Sequence, residues 1–180
     1  KALKESSKVL AVRGRVLPAS IQKVRLWARM TDGSVVEGES QIPLTGKRIE
    51  RVYLKPENTM PVESALEAIR DADAVILGPG SLYTSILPNL LVQGVAETLR
   101  QSQAVKIYIC NVMTQPGETD GYSASEHIQA IIDHVGPGII DYVVVNTHHV
   151  AMDLQEKYAS QGAYPVEVDT EAIEAMGIKV

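Results

Sequence analysis

The sequence lacks several features that define large protein classes. Among its 180 residues there is no Phe, one Cys and one Trp, and aromatic residues make up only 4%. A single Cys forms no internal disulfide and builds no cysteine metal site, which favours a reducing, cytoplasmic setting. The longest apolar runs fall well short of the ~18–20 residues that a membrane-spanning helix needs. We expect a core of Val, Ile, Leu, Ala and Met, and no membrane span.

A basic excess is also missing, because 17 Lys and Arg face 22 Asp and Glu for a net charge of −5. Nucleic-acid-binding proteins normally carry a basic excess or stripe, so no nucleic-acid partner is expected. The negative net charge does not exclude a small anionic ligand, since backbone amides alone can hold a phosphate. The apolar content of 45% and charged content of 22% are typical of globular proteins, and the length fits one domain or slightly more.

The chain opens on KALKESSKVL without an initiator Met or a signal-peptide core. We expect an interior piece of a longer protein, with residues 1–14 forming the end of a helix. Residues 15–58 predict a β-hairpin or meander insertion. Apolar and polar side chains alternate in KVRLWARM, Asp32-Gly33 marks a hairpin turn, and RVYL closes the sheet.

The first strand of this insertion has a basic face, formed by Lys23, Arg25 and Arg29 around Trp27. Its alternation with Val24, Leu26 and Met30 predicts that the basic side chains point to solvent. We interpret them as solvated, and an acidic partner for this face is the alternative.

Residues 59–180 alternate between apolar strands and amphipathic helices. Such a pattern predicts βαβ units and a parallel sheet. The expected central strands are residues 73–77, 105–110 and 141–146. Helices are expected at residues 62–72, 90–102, 123–135, 152–161 and 170–176, and PVEVD predicts a short strand at 165–169. Ser123 and Glu126 form a capping-box pattern at the start of the third helix.

Three polar loops follow the predicted strands, where open parallel sheets bind their ligands. GPGSLYTS begins at Gly78 and combines close backbone approach with amides at a helix start, although an ordinary tight turn explains it equally well. NVMTQPGETDG begins at Asn111 and is longer than most such loops. The expected ligand surface consists of Gly78, Pro79, Gly80, Ser81, Tyr83, Thr84, Ser85, Asn111, Thr114, Gln115, Gly117 and Asp120.

The remaining polar candidates give weaker signals. Glu118 and Asp120 are weak candidates for a divalent cation, with solvated turn residues or helix-dipole partners as the alternatives. We interpret Cys110 as a small buried hydrophobe and the four histidines as plain polar positions, since no third ligand has metal-site spacing. Those histidines are His127, His134, His148 and His149. No catalytic triad order is present, and no catalytic residue is assigned.

GPGSLYTSILPNLLVQG (78–94) and YICNVMTQPGETDGY (108–122) closely resemble the family that joins bacterial gluconeogenesis factors (YvcK-type) to 2-phospho-L-lactate transferases (CofD-type). RVLPAS (15–20), MTDGSVVEGES (30–40) and ASEHIQAIIDHVG (124–136) resemble the YvcK branch. The resemblance is clearest over residues 13–145. It implies a Rossmann-like α/β fold, of which this chain is the second half of a doubly wound sheet with a small antiparallel β-hairpin insertion.

The resemblance also implies a function. YvcK-type proteins are cytoplasmic regulators that bind UDP-sugars and are needed for gluconeogenic growth and normal cell shape. CofD-type enzymes move a phospholactyl group from a guanosine-diphosphate carrier onto a deazaflavin with a divalent cation. The CofD stretch HFQEYW is missing here, which favours a regulatory nucleotide-binding protein over an enzyme. The sequence is compatible with a homodimer. The third hypothesis is that the chain is a fragment without activity of its own.

The family's N-terminal GGGTG turn, its ADDGGSSG stretch and its downstream GD…R segment do not occur in these 180 residues. The resemblance implies that these parts contact the nucleotide and the deazaflavin most directly. We therefore expect the loops in this chain to supply at most half of a binding site.

Overall fold

The computed structural model of the chain describes residues 14–180, so the helix end expected at the start of the chain lies outside the described residues. An antiparallel sheet forms first along the chain, in the spatial order β2-β1-β3. Its strands are β1 (Arg25–Met30), β2 (Val35–Glu37) and β3 (Ile49–Lys55). The predicted turn is confirmed, because Gly33 has a positive φ of 82° and the Met30 amide donates to the Ser34 carbonyl.

The strand order differs from the expected meander, because β3 pairs with β1 rather than with β2. Strand β2 is only three residues long, whereas β1 offers six residues to the seven of β3. A 3₁₀ turn at Pro43–Thr45 carries the chain between them. Leu26, Ala28 and Met30 are buried on the inner face, as the alternation predicts.

A separate parallel sheet follows, with the predicted strands in the order β4-β5-β6. They are β4 (Ala74–Leu77), β5 (Val105–Ile109) and β6 (Tyr142–Val144). Both neighbouring pairs are parallel, which confirms the α/β fold expected from the sequence. The carboxyl ends of the three strands therefore lie at one edge of the sheet.

Helices connect and flank these strands. The predicted capping box is present, since the Ser123 side chain accepts from the Glu126 amide and Glu126 accepts from the Ser123 amide. A π-helical turn at Leu82–Ile86 runs directly into the second α-helix. The α-helices are α1 (Glu63–Arg70), α2 (Leu87–Leu90), α3 (Val95–Gln101), α4 (Ala124–Val135), α5 (Met152–Ala159) and α6 (Thr170–Ala175).

Two secondary-structure predictions are wrong. The helix expected at 90–102 is shortened to α3, which begins after Gly94, because Gly94 adopts a left-handed conformation with φ 79°. The strand expected at 165–169 is reduced to an isolated antiparallel bridge between Met113 and Pro165. Proline has no amide hydrogen to donate, which limits pairing along this segment.

The two faces of the parallel sheet differ in burial. Leu77, Tyr108 and Val143 lie on the covered face. The other face is exposed in the described part of the chain, with Ile76 at 59% and Val144 at 51% exposure. This differs from the doubly buried strands that the apolar runs predict, and it leaves an apolar sheet face, formed by Ala74, Ile76, Val105, Ile107, Ile109, Tyr142 and Val144, without a covering layer among residues 14–180.

Candidate functional site

The first and second polar loops are joined at the sheet edge by the carboxylate of Glu118, a buried residue of the second loop. It accepts a hydrogen bond from the Tyr83 amide at 3.2 Å and one from the Thr84 hydroxyl at 2.9 Å. The Gln115 amide group donates to the same carboxylate at 2.7 Å. Three predicted site residues are therefore brought together by a fourth residue that the sequence marked only as a weak metal candidate.

Burial raises the pKa of Glu118, and the hydrogen bonds from Thr84 and Tyr83 act in the opposite direction. Its carboxylate lies at the start of the π-helical turn, where helix amides attract negative charge. The Tyr83 amide is thus satisfied from within the protein. Within residues 14–180, the amides of Gly80 and Ser81 have no hydrogen-bond acceptor.

The glycines of the first loop are required by close packing. Gly78 has φ 96°, and a Cβ atom there would lie 3.1 Å from the Ile109 carbonyl oxygen. A Cβ atom on Gly80 would lie 3.2 Å from the Cβ of Ser85. Pro79 between them follows a cis peptide bond. The loop therefore lies directly against β5 and its own following turn.

Most polar groups of the second loop are used inside the protein. The Thr114 hydroxyl accepts from the Tyr164 amide, and the Thr114 amide donates to the Tyr164 carbonyl at 2.7 Å. Asp120 accepts from the Gly117 amide at 2.7 Å. These contacts fix the loop shape and leave fewer side chains to face a ligand than the sequence suggests.

Asn111 is an exception to this pattern. It lies beside Cys110 and Asn146 at the carboxyl ends of β5 and β6. Its side-chain oxygen is buried and has no hydrogen-bond partner in the part of the chain that the structure describes. An unsatisfied buried acceptor is uncommon and points to a donor supplied from elsewhere.

Tyr83 points away from the strand ends, into a cleft of about 300 Å³ between the antiparallel sheet and α4. Its hydroxyl lies 2.8 Å from the hydroxyl of Tyr122, and Arg48 stands over the Tyr122 ring. Burial raises the pKa of Tyr83, so its hydroxyl stays protonated at neutral pH. The sequence did not single out Tyr122 or Arg48, and an aromatic residue closing the long second loop was the available signal.

The histidines divide into two structural pairs. His148 and His149 are exposed. His127 and His134 are buried rather than plain polar positions, and their rings hydrogen-bond the carbonyl of Ser123 before α4 and that of Ala130 within it. The Nε2 atom of His134 also accepts from the Val52 amide at 3.0 Å, which joins α4 to the edge of β3. Burial lowers the pKa of both buried histidines.

Cys110 is buried, as predicted, and burial raises the pKa of its thiol to about 11. A thiol with this pKa is a poor nucleophile at neutral pH. Among residues 14–180 no group of three or more His, Cys, Asp or Glu side chains is placed to hold a metal ion. The carboxylates of Glu118 and Asp120, the weak cation candidates, each accept hydrogen bonds from groups of the loops themselves.

None of the helices within the described range 14–180 is long and apolar enough to cross a membrane. The first two predicted loops are held together at the sheet edge by the hydrogen bonds of Glu118. In the third loop, the Asn146 side chain donates to the carbonyl of His148 and accepts from its amide.

Comparisons with known proteins match the whole chain. The family profile described as "2-phospho-L-lactate transferase CofD" covers residues 1–180. The gluconeogenesis factor of Halalkalibacterium halodurans is 54% identical over 178 residues, which are 99% of this chain and 55% of that protein. The gluconeogenesis factor of Bacillus subtilis is 51% identical over 179 residues, or 99% of this chain and 56% of that protein.

A solved structure gives the same result at the level of the fold. The crystal structure of a member of the UPF0052 family from Bacillus halodurans matches with a TM-score of 0.95 and 55% identity. The match covers 98% of this chain and 57% of that chain. The chain thus spans about half the length of the curated relatives it matches.

Proposed function

Because the chain belongs to the CofD family and its curated relatives are gluconeogenesis factors, we propose that it forms part of a gluconeogenesis factor. In this proposal the protein is a cytoplasmic regulator of carbon metabolism and cell shape. It acts by binding a nucleotide sugar of the UDP-sugar class. The names of the relatives support the assignment to a gluconeogenesis factor. The resemblance of the loop motifs supports the binding of a nucleotide sugar.

The observation that carries the proposal is a set of polar groups at the sheet edge that bind no other group of residues 14–180. The amides of Gly80 and Ser81 are donors without an acceptor in the described chain, and the buried oxygen of Asn111 is an acceptor without a donor. A ligand with both phosphate oxygens and hydroxyl or imide donors satisfies both kinds of group. Nucleotide sugars contain both kinds of group. The hydrogen bonds of the Glu118 carboxylate hold the two loops together, in position for such a ligand.

A phospholactyl transferase is the second candidate, favoured by the description of the matching family. The missing HFQEYW stretch counts against it, since the antiparallel sheet occupies that region of the chain. A transfer assay with a guanosine-diphosphate-linked phospholactate and a deazaflavin acceptor separates the two functions. Turnover in that assay would favour the transferase.

Calorimetry of the full-length protein with UDP-glucose, UDP-N-acetylglucosamine, GDP and NAD tests the proposal. We expect Gly80→Val, whose side chain blocks the approach of a phosphate to the backbone amides, to weaken UDP-sugar binding about ten- to a hundredfold, because the lost hydrogen bond is to a charged group. Asn111→Leu removes the acceptor for a neutral donor and should weaken binding about two- to tenfold. Ser81→Ala adds no atoms that could block the approach of a ligand to the backbone, and it should weaken binding less than Gly80→Val. Asn58→Leu, at an exposed position outside both loops, is the control. Unchanged affinity in folded Gly80→Val and Asn111→Leu proteins would contradict this site.

A further inference from the structure

The solvent-facing side of the antiparallel sheet carries three rungs of side chains paired across β1 and β3. Along β1 these pairs are Arg25 with Lys55, Trp27 with Tyr53, and Arg29 with Arg51. We call these six residues the outer face. An aromatic rung therefore stands between two cationic rungs, about 7 Å from each at ~3.4 Å per residue.

Like charges directly opposite each other destabilise a sheet, so the two cationic rungs need compensation. Part of it comes from the protein. Arg25 pairs with Glu37, and Arg29 binds Glu50 through two hydrogen bonds of 2.7 and 3.1 Å. Each of these pairs joins side chains of β1 to a neighbouring strand.

The cations on β3 are compensated differently. Arg51 donates to the carbonyl oxygens of Asp133 and His134. The Lys55 ammonium stands 4.3 Å from the centre of the Trp27 ring and has no carboxylate partner within residues 14–180. One cation in each rung, Lys55 and Arg51, thus lacks a carboxylate in the described chain.

The surrounding charge strengthens this local excess. Residues 15–55 contain eight Lys and Arg against four Asp and Glu, a net charge of +4. Residues 56–180 contain five against seventeen, a net charge of −12. Residues 1–14 contain four Lys and Arg against one Glu, a net charge of +3. The segment that forms the antiparallel sheet is therefore basic whereas residues 56–180 are acidic, and the cations of the sheet attract anionic groups.

A groove of about 510 Å³ adjoins the outer face. Its lining includes Arg29, Arg51, Tyr53 and Lys55, and Glu57 is its one carboxylate. Apolar side chains of Val35 and Leu91 complete part of the wall. The groove thus combines cations with apolar surface, which suits a chain segment that carries both carboxylates and an apolar residue.

We propose that the outer face docks an acidic segment of a partner protein, in which two carboxylates flank an apolar side chain. The carboxylates meet the two cationic rungs, and the apolar side chain packs on Trp27 and Tyr53. The two cationic rungs are about 13–14 Å apart, which matches side chains at positions i and i+4 of an extended segment. Discrete carboxylates suit this face better than a nucleic-acid backbone, because the continuous charge of such a backbone would also meet Glu37 and Glu50.

A synthetic peptide containing Glu-Thr-Leu-Thr-Glu, titrated into the full chain, tests this proposal. Trp27 is the only Trp among the 180 residues, so its fluorescence reports on the outer face. We expect a saturable fluorescence change. The peptide affinity derived from it should fall at least about tenfold between roughly 50 and 500 mM salt. A peptide with Gln in place of both Glu residues should bind at least about tenfold more weakly.

Charge reversal at Lys55→Glu should reduce peptide affinity at least about tenfold. The matched control is Lys179→Glu, because Lys179 also stands over an aromatic ring, that of Tyr142 on the other sheet. It should leave affinity within about twofold. If Lys55→Glu does not fold, Arg25→Gln takes its place. The proposal fails if the peptide does not bind, if both reversals act equally, or if an oligodeoxythymidylate binds more tightly than the peptide.

Discussion

The buried Glu118 carboxylate accepts hydrogen bonds at the start of the π-helical turn, as a bound anion would. Glu118 receives donors from both polar loops, and burial excludes water that could replace them. Its removal would leave the Tyr83 amide, the Thr84 hydroxyl and the Gln115 amide group without their acceptor. The cost of such a change comes from these unsatisfied donors.

We predict that Glu118→Ala lowers the free energy of unfolding by about 2–3 kcal/mol, measured by urea denaturation. Glu174→Ala, at an exposed position of α6, should change it by no more than about 0.5 kcal/mol. Equal effects of the two substitutions would show that the hydrogen bonds to Glu118 contribute nothing to stability.

His134 predicts a dependence of stability on pH. Burial lowers its pKa from the ordinary value of 6.5, so the unfolded chain binds the proton more readily than the folded chain. The stabilisation is therefore complete above pH 6.5 and is lost as the pH falls below it. Protonation would also remove the acceptor that Nε2 offers to the Val52 amide.

The free energy of unfolding should fall between pH 7.5 and 5.5, by at most about 1.4 kcal/mol per pH unit for each buried histidine. In His134→Gln, whose side chain still offers an acceptor, the fall should be smaller. His149→Gln, at an exposed position, is the control. Urea denaturation at several pH values measures the slope, and an unchanged slope in His134→Gln would contradict this role.

At the scale of elements, one backbone contact fixes the second loop against the 3₁₀ turn that connects β2 and β3. Gly117 has φ 77°, and a Cβ atom there would lie 2.0 Å from the Pro43 carbonyl oxygen, which is backbone and has no rotamer to change. Gly121 in the same loop has φ 71° but open space around its Cβ position. The two glycines therefore separate the cost of conformation from the cost of packing.

Gly121→Ala should cost about 1–2 kcal/mol, the price of a left-handed residue with a side chain. Gly117→Ala should cost about 3 kcal/mol or more, because overpacking is added to the same conformational cost. Urea denaturation of both variants gives the difference. If the two costs were equal, the loop could shift away from Pro43 without loss.

Elements that depend on local pattern were predictable, and those that depend on distant partners were not. The apolar runs of β4, β5 and β6 and the capping box at Ser123 lie within single segments, so the sequence indicates them directly. The pairing of β3 with β1 depends on a connection through Pro43–Thr45, and local alternation does not specify it. Gly94 breaks a helix whose apolar spacing continues on both sides of it.

The candidate site shows the same division. The topological rule for parallel sheets predicts which loops share an edge. It does not predict where side chains point, so Tyr83 was expected to face a ligand and instead bonds Tyr122. The role of Glu118 depends on the distance between two loops 34 and 35 residues apart in sequence, which no motif contains.

At the scale of the whole molecule, the apolar sheet face is the least protected surface. Parallel sheets are normally covered on both faces, yet Ile76 and Val144 are more than half exposed in the described chain. Exposed apolar patches of this kind bind hydrophobic dyes and favour association. Neither side chain contributes much to the core of residues 14–180.

The double variant Ile76→Thr with Val144→Thr should weaken the binding of a hydrophobic fluorescent dye to the 180-residue chain. It should change the free energy of unfolding by less than about 1 kcal/mol, because threonine keeps the branching that strands favour. Val143→Thr, on the covered face, should instead destabilise by about 1–3 kcal/mol. Undiminished dye binding in the double variant would place the dye elsewhere.

The division of charge between the two sheets also governs how the molecule meets a charged surface. A net charge of −5 suggests that it binds only anion-exchange resin at pH 7. A resin responds to the nearest charges, however, and the antiparallel sheet presents its own cations at low salt. Among residues 15–180, the positive charge is concentrated in the antiparallel sheet and the negative charge in the rest, and an approaching charged surface orients such a distribution. In this part of the molecule, β1 and β3 are therefore the elements that an acidic surface attracts first.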